Sequence, residues 1–525
     1  MLSGITVTHI AVCLVVLTLL VFAPFVGNAF VSLDDNYLIY ANPAVQNFTW
    51  SNLVHVFTSY DPQLYIPLTF VSWQINALVF GMNAWAFHVV NLLLHCANVV
   101  LVLLILRRLS GSLFIAGFAA ALFAIHPIQT EAVLWAASRK DLLSGLFFLL
   151  STHAYLRYRE HDWIRKWLLW SIVFFALGLL SKVSVITLPV WLLGIDWLQK
   201  RRIDRQMFLE KIPYVILAVI FGMIAVYGKS RVLGSSGSLV NVLLPAKSAV
   251  FYLQKFFYPV GLSVIYPYSG QASFLMEFAL SIGIILALMV TALIFFRGKN
   301  RLITFGIATY FLLLTPSFTT FWKNGFLYFA SDRYVYLASI GFFVIVALLL
   351  RCLYGILKPT GVHVLSCVII VLLVPVSWAQ SSVWSSTEAL YRNVVLFYPD
   401  SVMAQTNLGL ELQLTGNLKE ARERYVRAME LDPHSVHAYF NLASLENKEG
   451  HPAEAERLYV AIVDAFGTDQ VGTASDVRPF LWLIKRLNDL GRPADAERLF
   501  KKLETLAPAQ LEEAVKKQNE IDAAN

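Results

Sequence analysis

The sequence predicts an all-α protein with two parts: a polytopic membrane domain, residues 1–381, and a helical repeat domain, residues 382–525. The first observation is composition. Of the 525 residues, 58% are hydrophobic and only 14% are charged, which is too apolar for a soluble chain of this size. The second is a repeat in the charged, alanine-rich tail. The third is the placement of the membrane domain's polar residues, which gather at the ends of its apolar stretches.

The apolar stretches indicate roughly 11 membrane spans, because a helix needs about 20 apolar residues to cross a bilayer. Examples are Ile5–Val26, Val89–Leu106, Phe274–Phe296 and Ser339–Leu350. The first stretch has no small-residue cleavage site, so we expect a retained anchor. The segment Lys247–Tyr266 contains Pro259 and Gly261, and the sequence leaves open whether it crosses the membrane or is re-entrant.

Clusters of basic residues predict the cytoplasmic side. They lie at Arg107-Arg108, Arg157–Lys166, Lys200–Lys211, Arg297–Arg301 and Arg351–Lys358. Threading the spans through them puts the N-terminus in the cytoplasm and the loop 28–65, with its acidic pair Asp34-Asp35, outside. The tail is also outside if Lys247–Tyr266 does not cross. These loops and anionic lipid explain the net charge of +7, so no nucleic-acid partner is expected.

The tail repeats with a period of 34 residues. Leu408, Gly416, Ala421 and Tyr425 recur as Leu442, Gly450, Ala455 and Tyr459, and a third, offset copy contains Gly491, Ala496 and Phe500. With a half copy in Ser382–Asp400, this makes about three and a half tetratricopeptide repeats (TPRs), an α-solenoid. The solenoid is either a scaffold that holds extended peptides or a device that presents a polypeptide to the membrane domain.

Charged and polar residues near membrane depth usually mark a pathway or a site, because their burial is costly. The threading places all of those at the span ends toward the external face, together with Asp34 and Asp35. They are His88, Asn91, His95, His126, Glu131, Arg139, Lys140, Asp141, Lys182, Asp332 and Arg333. This convergence predicts a functional site at the external surface.

Each member also has a structural interpretation. His88, Asn91 and His95 share one helix face, which suits hydrogen bonding between helices better than metal binding. The other structural roles are caps for His126, Glu131, Asp34 and Asp35, an ion pair for Arg139 with Asp141, and interfacial anchoring for Lys182 and Arg333. The four cysteines lie in apolar stretches without metal-ligand spacing, so no metal site is predicted.

Carboxylates and cations together outside a membrane suit the transfer of a group from a phospholipid-like donor. Arginine and lysine would hold the phosphate leaving group, and a carboxylate would take the proton of an attacking hydroxyl. For a sugar donor, a single displacement inverts the reacting carbon. Walker, G-x-S-x-G and H-E-x-x-H motifs do not occur in the sequence.

Several motifs, in order, resemble the transmembrane and tetratricopeptide-repeat-containing O-mannosyltransferases of the GT-C glycosyltransferase superfamily. They are Leu33-Asp34-Asp35, Asn42-Pro43, Tyr65-Ile66-Pro67-Leu68-Thr69, His88-x-x-Asn91-x-x-x-His95, His126-Pro127-x-x-Thr130-Glu131-Ala132, Ser138-Arg139-Lys140-Asp141-Leu142-Leu143, Ser181-Lys182 and Asp332-Arg333-Tyr334-Val335-Tyr336-Leu337. The resemblance implies a general base in Asp34-Asp35 and a donor site lined by the motifs of Arg139 and Arg333. The chain departs from the family at Ile66, where an arginine is common, and at Val183, where a glutamate is usual.

The resulting hypothesis is an inverting GT-C-type enzyme. It would move a sugar from a polyprenyl-phosphate carrier to an external acceptor, such as Ser or Thr of a protein bound by the repeats. Asp34 or Asp35 is the base, with Asp34 slightly preferred, and Arg139, Lys182 and Arg333 bind phosphate. The supporting residues are His88, His95, His126, Glu131, Asp141 and Tyr334. No cofactor is required, although a divalent cation is compatible with the acidic pair.

The short tail is consistent with a bacterial relative. The location would then be the inner membrane with the repeats on the periplasmic side, or the endoplasmic reticulum with lumenal repeats in a eukaryote. The alternative is a non-enzymatic scaffold, anchored in the membrane, for envelope assembly. A transporter is less consistent, because the two halves show no inverted repeat.

Overall fold

The computed structural model describes residues 6–60, 64–160, 164–229, 239–268, 274–298, 300–320, 328–465, 478–506 and 511. Within these ranges the chain is helical, and the only β-pairing is an isolated bridge between Pro267 and Tyr328. The predicted all-α class is therefore confirmed. The third repeat copy is offset from the second by an insert expected near Gly467–Ser475, which lies outside the described residues.

The helices of the first part are α1 (Val7–Phe22), α2 (Pro43–Gln46), α3 (Trp50–Thr58), α4 (Pro67–Phe80), α5 (Ala84–Ser110), α6 (Leu113–Ile125), α7 (Thr130–Leu134), α8 (Arg139–Glu160), α9 (Arg165–Ser181), α10 (Leu188–Leu198), α11 (Arg205–Leu209), α12 (Ile212–Lys229), α13 (Leu239–Phe257), α14 (Phe274–Phe296), α15 (Arg301–Leu314), α16 (Ser339–Cys352) and α17 (Tyr354–Ser382). Short 3-10 turns join several of them, including Ala136–Ser138, Val183–Thr187 and Asp332–Val335.

Six of the described helical segments are long and apolar enough to span a membrane, or seven if α6 and the bent segment after it count as one span. The chain is therefore an integral membrane protein. The sequence-based count of about 11 is higher because it included short apolar helices. Three of these, Pro67–Phe80, Val183–Leu198 and Ser339–Cys352, are too short to cross alone. The helix α13, in the segment whose crossing was left open, is not among the six.

The basic residues gather at one end of the membrane domain, which we call the basic end. There the buried Asp196 carboxylate accepts hydrogen bonds from Lys211 at 2.8 Å and from the Tyr155 hydroxyl at 2.8 and 2.9 Å. Arg201 joins this network through Glu210 at 2.7 Å. Opposite charges with satisfied hydrogen bonds are the condition under which buried ions are tolerated.

The opposite end, which we call the site end, carries Asp34. The helix α8 has 22 residues, so it separates the two ends by about 33 Å, close to the thickness of a bilayer core. Arg139 is its first residue and Glu160 its last, and Glu160 pairs with Arg108 at 2.9 Å. The predicted separation of the acidic pair from the basic clusters is thus present in the fold.

The tail forms helices α18 (Thr387–Phe397), α19 (Val402–Thr415), α20 (Leu418–Leu431), α21 (Val436–Lys448), α22 (Pro452–Ala465), α23 (Arg478–Asp489) and α24 (Pro493–Leu506). Consecutive helices pair as antiparallel hairpins, α19 with α20, α21 with α22 and α23 with α24. A Cβ atom at Gly409 would lie 2.6 Å from the Tyr425 ring, so a glycine is needed where α19 meets α20. This is the small-residue contact that the repeat predicts.

The solenoid begins at the site end. The Ser32 backbone N–H, two residues before Asp34, donates to Thr387 Oγ1 in the first turn of α18 at 2.9 Å. Farther along α18, the Asn393 side chain donates to the Leu262 carbonyl at 2.9 Å. The repeats and the acidic pair therefore lie at the same end of the membrane domain, the arrangement that the threading predicts if Lys247–Tyr266 does not cross.

Candidate active site

Four separate parts of the chain converge at the site end. They are the loop after α1, the segment from α7 to the first turn of α8, the C-terminal cap of α9 and the 3-10 turn Asp332–Val335. Their ionic side chains form three acid–cation pairs: Asp34 with Lys140, Asp141 with Lys182, and Glu131 with Arg333. The convergence predicted from the sequence is present in the fold, and we call these three pairs the ionic cluster.

Asp34 is the partly exposed member of the acidic pair, with 24% of its side chain accessible. Its Oδ1 accepts a hydrogen bond from the Tyr37 hydroxyl at 2.6 Å, and its Oδ2 lies 3.3 Å from Lys140 Nζ. Burial acts to raise the pKa of Asp34, but the charges of Lys140 and Arg333 and the Tyr37 hydrogen bond bring it below its ordinary value. The carboxylate is therefore ionised at neutral pH and accessible to a reactant.

Asp35 has a different environment, although it is the next residue. It is fully buried, and its two oxygens accept backbone hydrogen bonds from Ala137 at 2.8 Å and Val31 at 3.1 Å. Burial raises the pKa of Asp35 to about 7 against the opposing effect of these bonds. Asp35 therefore fastens the acidic loop to the turn before α8.

Arg139 and Lys140 are also neighbours with different roles. Arg139 is fully buried, and its guanidinium donates to Asn91 Oδ1, Asn76 Oδ1 and the Phe87 carbonyl, each at 2.9 Å. These bonds tie the start of α8 to α4 and α5. Such saturation does not favour the expected phosphate-binding role of Arg139. Lys140, one residue on, supplies the cation beside Asp34 instead.

Arg333 enters the ionic cluster from the 3-10 turn before α16. Its Nη1 donates to Glu131 Oε1, and the Ser331 hydroxyl donates to the same oxygen at 2.7 Å. The other glutamate oxygen accepts the backbone N–H of Asp332 at 2.9 Å. The Arg333 Nε has no hydrogen-bond partner among the described residues. Glu131 thus holds the turn and the guanidinium, leaving Arg333 a spare donor for a ligand.

Lys182, the residue that caps α9, pairs with Asp141 Oδ1. The other oxygen, Asp141 Oδ2, is buried and has no hydrogen-bond partner among the described residues. An unsatisfied carboxylate oxygen is costly unless a ligand or water completes it. The aromatic ring of Tyr334 lies 5.7 Å from Lys182 Nζ and 4.9 Å from the Arg333 guanidinium carbon, so it links the two cations.

The indole of Trp135 is a platform that the sequence did not single out. The Arg333 guanidinium carbon lies 4.6 Å from the Trp135 ring centre, and Lys140 Nζ lies 5.3 Å from it. Cation–π attraction of this kind contributes about 0.5–2 kcal/mol per contact. Trp135 therefore fixes the distance between the two cations nearest Asp34. Interfacial tryptophans are common in membrane proteins, so its position in the sequence carried no special signal.

The predicted supporting histidines make structural contacts. His95 bridges the Tyr336 hydroxyl at 2.8 Å and the Ala124 carbonyl at 3.0 Å. His126 accepts the Ile128 N–H at 3.2 Å and bonds the Phe256 carbonyl at 3.0 Å. These are the interhelical and capping alternatives weighed for His95 and His126. His88 is buried, with its ring centre 6.4 Å from that of Phe30 in the acidic loop.

Within the described ranges, no group of three or more His, Cys, Asp or Glu side chains is arranged to hold a metal ion. The acidic pair does not form a bidentate arrangement, because both Asp35 oxygens are engaged by backbone N–H groups. A cavity of about 460 Å³ is lined by α17 residues between Thr360 and Leu372 and does not include the ionic cluster.

The chain is similar in sequence to known protein mannosyltransferases. Residues 67–228 match the family model described as dolichyl-phosphate-mannose-protein mannosyltransferase. That range carries Glu131, Lys140, Asp141 and Lys182, whereas Asp34 and Arg333 lie outside it. The resemblance to O-mannosyltransferases noted from the motifs is confirmed.

Individual relatives agree with this class. The chain is 27% identical over 493 residues to protein O-mannosyl-transferase TMTC4 of Mus musculus, covering 78% of this chain and 64% of that protein. It is 42% identical over 127 residues to protein O-mannosyl-transferase Tmtc2 of Drosophila melanogaster, covering 23% of this chain and 14% of the relative. The chain thus spans less than two thirds of either relative.

A solved structure that the chain resembles more distantly is the Archaeoglobus fulgidus oligosaccharyltransferase, tethered to an acceptor peptide that contains the NVT sequon. The sequence identity is 13% and the TM-score is 0.40, covering 74% of this chain and 56% of that one.

Proposed function

We propose that the protein is an inverting glycosyltransferase that moves one sugar from a polyprenyl-phosphate carrier to a hydroxyl of a protein acceptor. The observation that carries this proposal is the ionic cluster. An ionised, partly accessible Asp34 lies beside Lys140, and the charge of Arg333, from a distant turn, reaches the same carboxylate. A base next to cations is the combination that a hydroxyl nucleophile and a phosphate leaving group need.

In the proposed reaction the acceptor oxygen attacks the anomeric carbon of the donor. The carbon–oxygen bond to phosphate breaks, and its electron pair leaves with the phosphate. Asp34 takes the hydroxyl proton. Lys140, Lys182 and Arg333 stabilise the charge that develops on the leaving phosphate, each as an ion already fixed by an acidic partner. No further reactant is needed for the balance.

Asp34 is the preferred base because its carboxylate can still accept a hydrogen bond from a substrate hydroxyl, whereas the Asp35 carboxylate is already engaged. Both oxygens of Asp35 are engaged by backbone N–H groups in a closed environment. Asp34 is 24% exposed and its hydrogen-bond partners are side chains. A base must lie within hydrogen-bond reach of the proton it removes, and only Asp34 combines accessibility with ionisation.

The proposed setting is a membrane in which the site end faces away from the cytoplasm. The support is the basic end, about 33 Å away along α8, since positive loops favour the cytoplasmic side. In a bacterium this is the periplasmic face of the inner membrane, and in a eukaryote it is the lumenal face of the endoplasmic reticulum. The solenoid, attached at the site end, would hold the acceptor polypeptide.

The test is sugar transfer by purified protein in detergent, with a short-chain polyprenyl-phosphate mannose as donor and a Ser/Thr-rich unfolded polypeptide as acceptor. We expect Asp34→Asn to reduce the turnover number by about 100- to 10,000-fold, the usual contribution of a general base. A control is Asp204→Asn, since this partly exposed carboxylate caps α11 at the basic end.

Two outcomes would contradict the proposal. Transfer by a folded Asp34→Asn variant at the wild-type rate would favour the scaffold alternative. A product that retains the donor's anomeric configuration would remove the single-displacement step. Chelation of divalent cations with EDTA is a separate arm, in which we expect unchanged transfer because the leaving phosphate is neutralised by protein cations.

A further inference from the structure

The start of the solenoid reaches into the ionic cluster through a pair of tryptophans. Trp384, in the turn before α18, stacks on Trp135 with ring centres 5.7 Å apart and an interplanar angle of 30°. Both indoles are almost fully buried. The Trp135 ring is the platform on which Arg333 and Lys140 rest. Trp384 therefore covers the side of the Trp135 ring that faces the solenoid.

The helix α18 also borders the acidic loop. The Thr387 hydroxyl accepts the Ser32 N–H at 2.9 Å. Tyr391, one turn later, is buried. Burial is the main cause that raises the pKa of its hydroxyl, and the negative charge of Asp34 raises it further. The base and the solenoid's first helix are therefore close enough to interact electrostatically.

A second contact region joins the end of α18 to the turn that carries Arg333. Tyr398 packs edge-on against Tyr266, with ring centres 5.7 Å apart. Tyr266 in turn donates to Asp332 Oδ1 at 2.6 Å. The residue that precedes Arg333 is thus bound, through one tyrosine, to the solenoid.

We propose that Trp384 is a positioning residue for sugar transfer, and that the segment from Trp384 to Tyr398 is a fixed wall of the active site, not part of a detachable acceptor-binding module. This rests on the proposed function. Trp384 acts through Trp135, because the stacked indole prevents Trp135 from tilting, and Trp135 sets the positions of Arg333 and Lys140.

The ring and the N–H of Trp384 differ in their contacts. A buried indole N–H normally finds a hydrogen-bond acceptor, yet Trp384 Nε1 has none among the described residues. The Trp384 ring is thus packed on Trp135, while its N–H has no hydrogen bond within the described ranges. A ring stack contributes about 0.5–1.5 kcal/mol beyond its buried area, and a shift of about 1 Å in a catalytic group reduces rates by about 100-fold.

The experiment compares Trp384→Ala and Trp384→Phe in the full-length protein with the same donor and acceptor. We expect Trp384→Ala to raise the KM for the donor and lower kcat/KM by about 10- to 100-fold. Trp384→Phe retains an aromatic ring and loses no hydrogen bond to the described residues, so it should recover most of the activity. A control for the loss of a tryptophan stack is Trp170→Ala, which removes the exposed Trp170 ring from Phe174, 5.8 Å away, at a distance from the ionic cluster.

A readout that a purely structural role would not change is the acid limb of the pH–rate profile. Because Lys140 and Arg333 depress the pKa of Asp34, displacing these cations should move the limb to higher pH in Trp384→Ala but not in Trp384→Phe. If Trp384→Ala fails to fold, Trp384→Leu, which keeps apolar volume without a ring stack, replaces it.

Two results would overturn the inference. One is that Trp384→Ala or Trp384→Leu has the wild-type KM for the donor and the wild-type acid limb. In that case its activity would fall only in proportion to the amount of folded protein. The other is Trp384→Phe behaving like Trp384→Ala. Either result would leave the proposed function intact, provided that the Asp34→Asn variant is inactive. An active Asp34→Asn variant would instead contradict the proposed function itself.

Discussion

Asp34 and Asp35 are adjacent in the sequence, but their carboxylates have different partners. Asp34 contacts side chains, Tyr37 Oη at 2.6 Å and Lys140 Nζ at 3.3 Å, whereas Asp35 contacts only backbone N–H groups within the described residues. The pKa of Asp34 is lowered and that of Asp35 is raised to about 7. Pairs of titratable groups whose environments separate their pKa values commonly divide their roles.

The pH–rate profile tests which aspartate is the base. A base must be deprotonated, and the pKa of Asp34 lies below its ordinary 3.8. We therefore expect the limb of kcat/KM that belongs to the base to lie below about pH 4, with no loss of activity from this group as pH falls from 8 to 5. The measurement is kcat/KM for the donor across that range. A single limb near pH 7 that disappears in Asp35→Asn would assign the base to Asp35.

The pair of Glu131 and Arg333 should be essential for folding as well as for catalysis. Both are nearly buried, with 1% and 13% of their side chains accessible. Glu131→Ala leaves the guanidinium without its carboxylate, and breaking a buried pair costs about 3–5 kcal/mol. Thermal unfolding in detergent should show a large drop in Tm. The exposed pair of Arg457 and Glu454 is the control, since Glu454→Ala should change stability by no more than about 1 kcal/mol.

Gly341 lies where α15 and α16 touch. A Cβ there would overlap the Gly306 carbonyl oxygen and lie 2.8 Å from the Tyr310 nitrogen, both backbone atoms that cannot rotate away. Gly341→Ala should therefore force the helices apart and destabilise the protein by about 1–3 kcal/mol or more. Gly283→Ala, with nothing within 4 Å, is the matched control. Equal melting temperatures for the two variants would contradict this contact.

Lys182 should contribute to transfer more than to stability. It is 19% exposed, and its partner Asp141 retains one buried oxygen without a hydrogen bond to the described residues. Lys182→Met should lower kcat/KM by about 100- to 1,000-fold, the usual effect of removing one group that stabilises developing charge. Lys166→Met, at an exposed position near the start of α9, should leave kinetics unchanged. A Lys182→Met variant with wild-type kinetics would remove this lysine from the proposed phosphate site.

The sequence predicted the ionic cluster's location because apolar stretches and basic loops alone determine which helix ends share a side. It did not distinguish Arg139 from Lys140. Consecutive residues on a helix point about 100° apart, and only the packing of α8 decides that Arg139 enters the protein while Lys140 faces Asp34. Asp34 and Asp35 presented the same difficulty, since the choice depends on where the Ala137 N–H lies.

Other residues of the site could not be recognised from the sequence alone. Trp135 and Trp384 are two of 13 tryptophans in a chain rich in aromatic residues, so their stacking depends on a fold that brings positions about 250 residues apart together. Tyr37 was not singled out from the sequence, because its hydrogen bond to Asp34 depends on the conformation of the loop. The sequence-based count of about 11 spans included short apolar helices such as α16, which length and composition do not identify as spans on their own among the described residues.

The contacts of α18 determine where this protein can be recombined with others. A chimera that exchanges its repeats for another array and joins the chains at Ser382 would discard Trp384, Thr387 and Tyr398 along with the later helices of the solenoid. A junction between Tyr398 and the start of α19 keeps those residues with the membrane domain. The repeat segment that can be exchanged between proteins is therefore shorter than the repeat pattern suggests. It begins one helix later, at α19.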